Sequence, residues 1–314
     1  MFLKKTRRDR KEAGLSLVRH EYIYQTIKEE NANHNYPVQA LCKLGRVSRS
    51  GYYKWIKRDI PLNESENKLI ADEIEKIHHE SPDKGYRRIR DDLERYHDIK
   101  VNDKRVLRIC RNLNIKSTIK YANKGCTRHA VNPQYIAENL LNREFTADAP
   151  NKKWLTDVTE FNYYIGAEKR KVYLSAILDL YDRRIVSYVV RDSNNNALVF
   201  ETFDAAVNAN PDAHPLFHSD RGFQYTNRIF HQKLTGAGLT QSMSRVGKCI
   251  DNGPMEGFWG ILKRERYYGN RFASRESVVK MIEEYIEYYN NKRLQRNLGV
   301  LTPREKHNMY LQVA

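Results

Sequence analysis

WLTDVTEFNYYIGAEKRKVYLSAILDLYDRRIVSYVV, residues 154–190, carries three β-rich runs separated by short turns. Trp154 to Tyr164 alternates in character, Lys171 to Leu180 is a second run around Val172-Tyr173-Leu174, and Ile185 to Val190 is a third. Such runs, bounded by turn residues, mark strands. The connections, Gly166 with its neighbours and then Tyr181 to Arg184, are short enough only for antiparallel neighbours. A three-strand meander is therefore predicted. Downstream the pattern predicts a helix (Ala197 to Asn208), a strand (Leu216 to Ser219), a helix (Asn227 to Thr235), a strand (Leu239 to Met243) and a helix beginning near Pro254. A meander followed by alternating helix and strand builds a mixed five-stranded sheet with helices on both faces, an α/β core over 151–270. A helical region, 271–314, follows it.

Upstream the period is helical. Leu17 to Glu30 reads as a helix; Pro37 opens a short one to Leu44 that stops at Gly45, and Ser48 caps the next, with Tyr52, Tyr53, Trp55 and Ile56. Two short helices joined by a Gly-containing turn form the helix-turn-helix pattern, so 1–60 is expected to bind DNA, with Arg49 and Lys54 at the reading helix. An ordinary hairpin with Tyr and Trp in its core is the competing reading. After Pro61, a second helical unit over 61–115 begins with an amphipathic helix, Glu64 to Glu80, whose apolar side carries Leu69, Ile70, Ile74 and Ile77. Helices over Tyr86 to His97 and from Asn102 or Asp103 to near Leu113 follow, with Arg87 and Arg88 as candidate phosphate contacts. Residues 116–150 are rich in Lys and Asn and read as a basic linker with one short helix, Tyr135 to Leu141.

The 314 residues carry a net charge of +16, which favours a polyanionic partner, nucleic acid before anionic membrane. No apolar run is long enough to span a bilayer, and the basic N-terminus lacks the apolar segment of a signal peptide. Four cysteines without a C-x-x-C pair argue against a disulfide framework or zinc knuckle and for a reducing, cytoplasmic setting.

Three acids stand out by context. Asp157 lies inside the first strand, where its residue type is disfavoured; Asp220 ends the fourth strand; Glu256 sits in the first turn of the late helix. Carboxylates from three separate elements at a sheet edge suit two divalent ions, Mg2+ or Mn2+, which take hard oxygen ligands. Asp251 and Asn252 read as caps of the late helix, Asp192 as a cap at a strand-to-helix junction, and Trp154 and Trp259 as core aromatics. His218, on the same side of its strand as Asp220, is either an ordering group for the site or a packed histidine.

The order of elements is that of a ribonuclease-H-like core. His218-Ser219-Asp220-Arg221-Gly222-Phe223-Gln224-Tyr225, and Asp251-Asn252-Gly253-Pro254-Met255-Glu256-Gly257-Phe258-Trp259 with Leu262-Lys263-Arg264-Glu265, resemble the second-Asp and Glu motifs of OrfB-type DDE transposases of the insertion-sequence-three family. Between Asp220 and Glu256 lie 35 residues, the spacing of that family and of retroviral integrase cores. Ser48 to Trp55 and Gly85 to Ile89 resemble its leading helical regions, so the resemblance runs from about Tyr22 to Lys306.

The resemblance implies metal-dependent cleavage at transposon ends and transfer of the freed 3′ hydroxyl into target DNA, with Asp157, Asp220 and Glu256 as catalytic metal ligands. It also implies that Lys263, two helical turns after Glu256 and so on its face, contacts end DNA. The implied partners are double-stranded DNA, further copies of the chain on paired ends, and an upstream-frame protein with its own helix-turn-helix and leucine zipper. Two other readings, a nuclease on the same core acting on RNA–DNA hybrids and a non-enzymatic DNA-binding regulator, differ from this one in strand transfer and metal dependence.

Overall fold

The computed structural model describes residues 21–119 and 133–313, and the chain divides into two compact units between Ile119 and Lys120. The predicted helix start at Leu17 and the linker over 120–132 lie outside the described residues.

In the first unit, α1 (Glu21–His34), α2 (Val38–Gly45) and α3 (Arg49–Ile56) pack around Ile27, Leu41, Cys42 and Tyr52. Two local devices make the tight α2–α3 turn. Arg46 closes α2 in the left-handed region at φ 53°, and the Ser48 hydroxyl caps α3 by accepting the Gly51 N–H at 3.1 Å. Tyr52 and Trp55 pack inward, while Arg49 and Lys54 remain exposed. Ser48→Ala should cost about 1 kcal/mol, read as a lower urea midpoint for the helical unit by circular dichroism.

A second small core, built on Ile70, Ile74, Ile77, Ile89, Leu93 and Ile109, joins α4 (Leu62–Glu80), α5 (Tyr86–His97) and α6 (Asp103–Asn112). Leu69, expected on the buried side of α4, is 65% exposed, because the helical stripe centres on Ile70, Ile74 and Ile77 and turns its neighbour outward. Arg58 bridges the two cores, pairing with Glu21 at 3.1 Å and with buried Glu64 at 2.7 Å.

The second unit is built on one sheet. Its strands β1 (Lys153–Ile165), β2 (Glu168–Asp179), β3 (Ile185–Arg191), β4 (Leu216–Ser219) and β5 (Thr240–Met243) run in the order β3-β2-β1-β4-β5. The first three form the antiparallel meander, and β4 and β5 add in parallel. Alternation along β1 supplies two cores. On one face Trp154 packs with Phe203 of α7 (Asn196–Ala209) and Phe230 of α8 (Arg228–Gly236). On the other, Leu155, Phe161 and Tyr163 pack with Phe258 and Trp259 of α9 (Gly253–Leu262) and Ile282 and Tyr285 of α10 (Arg275–Asn291). A last helix, α11 (Pro303–Leu311), follows. The mixed five-stranded sheet with helices on both faces, preceded in the chain by a helical unit, is thus the observed architecture.

Three local expectations are corrected. Tyr135 to Leu141 is not a helix but an extended strap along the edge strand β5: Met243 N donates to the Glu138 carbonyl at 3.1 Å, and the Leu140 and Leu141 N–H groups donate to Ser242 Oγ at 3.0 and 3.2 Å. An open sheet edge needs partners, and this demand overrides the local helical pattern. The cap of α7 is Asn195, which accepts the Leu198 N–H at 3.1 Å, while Asp192 pairs with Arg275 at 2.6 Å. Asp251 is likewise not a helix cap, as its contacts below make plain.

Candidate active site

Parallel pairing of β1 with β4 sets Leu155 opposite His218. Carried on by two residues along each strand, that register brings Asp157 alongside Asp220, just beyond the last residue of β4, with both side chains on the face that α9 covers. Glu256 enters from the first turn of α9, where Pro254 occupies an early helical position at which its missing N–H costs nothing. The three carboxylates line one cleft together with Arg221, Lys248 and Asn252.

Each acid is held differently. Asp157 Oδ1 accepts the Val158 N–H at 2.8 Å and Oδ2 accepts the Trp259 indole N–H at 3.1 Å. Asp220 Oδ1 accepts the Gly222 N–H at 2.8 Å. This contact explains the glycine, since a Cβ at residue 222 would lie only 3.0 Å from that oxygen. Burial, and then the charge of Asp220, push the Asp157 carboxyl well above the usual carboxylate range, with Glu256 adding a smaller push. Burial raises Glu256 as well, again with the charge of Asp220 behind it.

The sequence reading did not select several residues around these acids. Asp251 has no exposed side-chain surface and accepts from Arg143 Nε at 2.7 Å, Arg245 Nε and Nη2 at 2.8 Å each, and Asn139 Nδ2 at 3.0 Å. Its carboxyl is held far below the usual range, first by the Arg245 hydrogen bonds. It ties the loop before α9 to the edge strap. The guanidinium of Arg221 donates Nε to the Ser244 carbonyl at 2.8 Å. With Arg245 and Lys248 it adds basic side chains to the lining of the cleft. Asn252 is 3% exposed; its Nδ2 holds the Thr156 carbonyl at 3.0 Å, and its Oδ1 is buried without a hydrogen-bond partner. The position of Arg221 directly after Asp220, and of Asn252 one turn before Glu256, were the available signals.

His218 resolves as a packed residue: fully buried, it bonds Ser242 Oγ at 2.8 Å through Nδ1 and Ser244 Oγ at 3.1 Å through Nε2, and burial lowers its pKa to about 4. Lys263 follows α9 at the start of a π-helical turn, Lys263–Tyr267, and its ammonium lies 5.2 Å from the centroid of the Phe161 ring. Phe161 stands four residues along β1 from Asp157 and on the same side, so Lys263 flanks the cleft rather than lining it. In the helical unit, Arg87 is exposed over the Tyr86 ring, and Arg88 is turned to Asp83 at 3.2 Å. Among the described residues, no group of three His, Cys, Asp or Glu side chains is disposed to hold a metal ion by itself. No helix among them is long and apolar enough to cross a membrane.

Residues 147–249 match the integrase core domain family, 256–311 match a second integrase core domain model, and 64–123 match the HTH-like domain family. The HTH-like match falls on α4 to α6, whereas the sequence reading attached the helix-turn-helix to α2 and α3. The chain is similar to the InsK protein of insertion sequence element IS150 from Escherichia coli, with 36% identity across 87% of this chain and 94% of that one. It is 42% identical to a transposase-like protein of Haemophilus influenzae over 65% of this chain and 92% of that one. Transposase InsF for insertion sequence IS3fB, also of Escherichia coli, is 29% identical across 88% of this chain and 96% of its own length.

Proposed function

Because the chain belongs to the insertion-sequence-three family of transposases, we propose that it cuts double-stranded DNA at the element's ends and joins the freed 3′ hydroxyl to target DNA, with Asp157, Asp220 and Glu256 as its catalytic residues. One observation carries this reading: carboxylates from a central strand, the end of its parallel neighbour and a helix start line one cleft together with the basic residues Arg221 and Lys248.

The donor set fits Mg2+ or Mn2+. Its oxygens are hard, the raised carboxyls of Asp157 and Glu256 mark a cluster that a cation would relieve, and Asn252 Oδ1 adds a buried acceptor in the cleft wall. Magnesium commonly takes only one or two protein carboxylates, with water and substrate phosphate filling the rest. A site that does not enclose a metal by itself is compatible with that habit. When bound, two such ions would activate the attacking oxygen and neutralise charge on the leaving one.

The chain's own side chains do the remainder. Asp157 and Asp220 supply ligand oxygens from a rigid sheet; Glu256 supplies another from α9. Arg221 and Lys248, which line the same cleft, orient the phosphodiester by charge-assisted hydrogen bonds. Lys263 contacts DNA beside the cleft, and Arg49, Lys54 and Arg87 hold phosphates from the helical unit, with Arg88 contributing where its pair with Asp83 opens. Further copies of the chain assemble on paired ends, with an upstream-frame helix-turn-helix protein as a companion for end recognition.

The test is a joining assay with the purified chain, an element-end duplex bearing a 3′ hydroxyl, a plasmid target and Mg2+. Joined product that disappears on chelation is the expected result. Hydrolysis without joining would instead indicate a nuclease on this core, and metal-independent binding alone a regulator.

A further inference from the structure

Two hydrogen bonds pin the start of the Glu256 helix to adjacent residues of β1. Asn252 Nδ2, just ahead of α9, donates to the Thr156 carbonyl at 3.0 Å, and Trp259 Nε1 donates to Asp157 Oδ2 at 3.1 Å. Glu256 lies between these two anchors, one helical turn from Trp259.

Trp259 is 6% exposed and does not line the cleft. Its rings pack against Phe258 at a centroid distance of 5.0 Å, a contact that any aromatic of similar size would make. What sets tryptophan apart is the indole N–H, which must find an acceptor when buried. Here the acceptor is a carboxylate, and bonds to charged acceptors are the stronger kind. A carboxylate rotates broadly about its last torsion. With Oδ1 held by the Val158 N–H and Oδ2 by the indole, both Asp157 oxygens are fixed in direction, each with a lone pair left over.

We infer that Trp259 is a positioning residue that fixes the Asp157 carboxylate in the orientation a divalent cation requires, and that α9, by carrying both Glu256 and Trp259, sets the separation of two ligand groups. The inference rests on the metal-ligand reading proposed above. It departs from the sequence assignment of Trp259 to the core alone: the side chain is core by packing and part of the site by its one polar atom.

Trp259→Phe removes the donor and keeps an aromatic ring in place. Loss of an outer partner of a metal ligand commonly costs 10–100-fold in metal affinity. The Mg2+ concentration for half-maximal end joining should therefore rise by about tenfold or more, with a smaller change in the rate at saturating Mg2+ and none in affinity for end DNA. A second measurement does not depend on activity or on how that variant folds. In the 15N-labelled chain without DNA, the Trp259 indole resonance should move as Mg2+ is added, and it should sit at a different position in Asp157→Asn.

An unchanged Mg2+ requirement in folded Trp259→Phe overturns the inference, as does an indole resonance indifferent both to Mg2+ and to Asp157→Asn. The two levels separate through Asp220→Asn. If that variant joins ends normally, the metal-ligand reading itself fails; if it is inactive while Trp259→Phe behaves as wild type, only the positioning role fails.

Discussion

Asp220→Asn is expected to lower Mg2+-dependent strand transfer by about a thousandfold, while raising the melting temperature of the metal-free protein. The two effects have one origin. Asp220 is the charge that, after burial, pushes up both Asp157 and Glu256. A carboxyl whose folded pKa lies above its unfolded value stabilises the fold fully below the unfolded pKa, and this contribution is lost as pH rises through the folded one. At neutral pH the metal-free site therefore works against folding, and amidation of Asp220 removes the charge at its centre. A shift of a few degrees is the scale to look for, since about 1 kcal/mol moves a unit of this size by 2–4 °C. The gain should shrink towards pH 4, where the carboxyls protonate in folded and unfolded chains alike. Added Mg2+ should raise the wild-type melting temperature and do so far less in the variant. Differential scanning calorimetry across pH, with and without Mg2+, checks both arms. A variant less stable than wild type in the metal-free state at pH 7 would mean that Asp220 serves the fold and not a cation.

How far the sequence carries depends on the range of the forces involved. The meander over residues 154–190 was legible because alternation is a local property that the sheet preserves. The late helix was legible because Pro254 marks its start, whereas of the three acids only Asp157 drew notice by conflict with its strand setting, Asp220 and Glu256 standing out by their motifs and the 35 residues between them. The strap over residues 135–141 was misread because the pull that extends it comes from Ser242 and Met243, about a hundred residues away in the chain. Asp251 was misread as a cap for the same reason: Asn139 lies on that strap and Arg143 two residues past it, and no local spacing announces them. In the case of Trp259, the sequence identified a buried aromatic correctly and could not see where its single N–H would point. For the helical unit the family match adds to the pattern: it falls on residues 64–123, the second of the two helical stretches expected to meet DNA. Both helical stretches carry caps, glycine and basic residues.

The largest loss of stability is expected from Arg293→Met. Glu265 lies nine residues beyond Glu256, in the π-helical turn that ends α9, and its side chain is 4% exposed. Arg293, just past α10 and itself 12% exposed, pairs with it at 2.8 Å, while the Tyr285 hydroxyl donates to the second carboxylate oxygen at 3.0 Å. This clamp fastens the helix that bears Glu256 to the long helix packed beside it. Removing one member of a buried pair strands a charge and costs about 3–5 kcal/mol, or roughly 6–20 °C for a unit of this size. Replacing both members with apolar residues should recover much of the loss, because a buried ion pair contributes little net stability over a well-packed apolar isostere. Thermal melts of Arg293→Met and of the double variant Glu265→Met/Arg293→Met separate the two terms. Should the double variant melt no higher than the single one, the clamp matters for shape and not for charge. Below its melting temperature Arg293→Met should still join ends in Mg2+, since the substitution leaves the residues lining the cleft in place. Loss of joining in the folded variant would show that the clamp sets the position of Glu256.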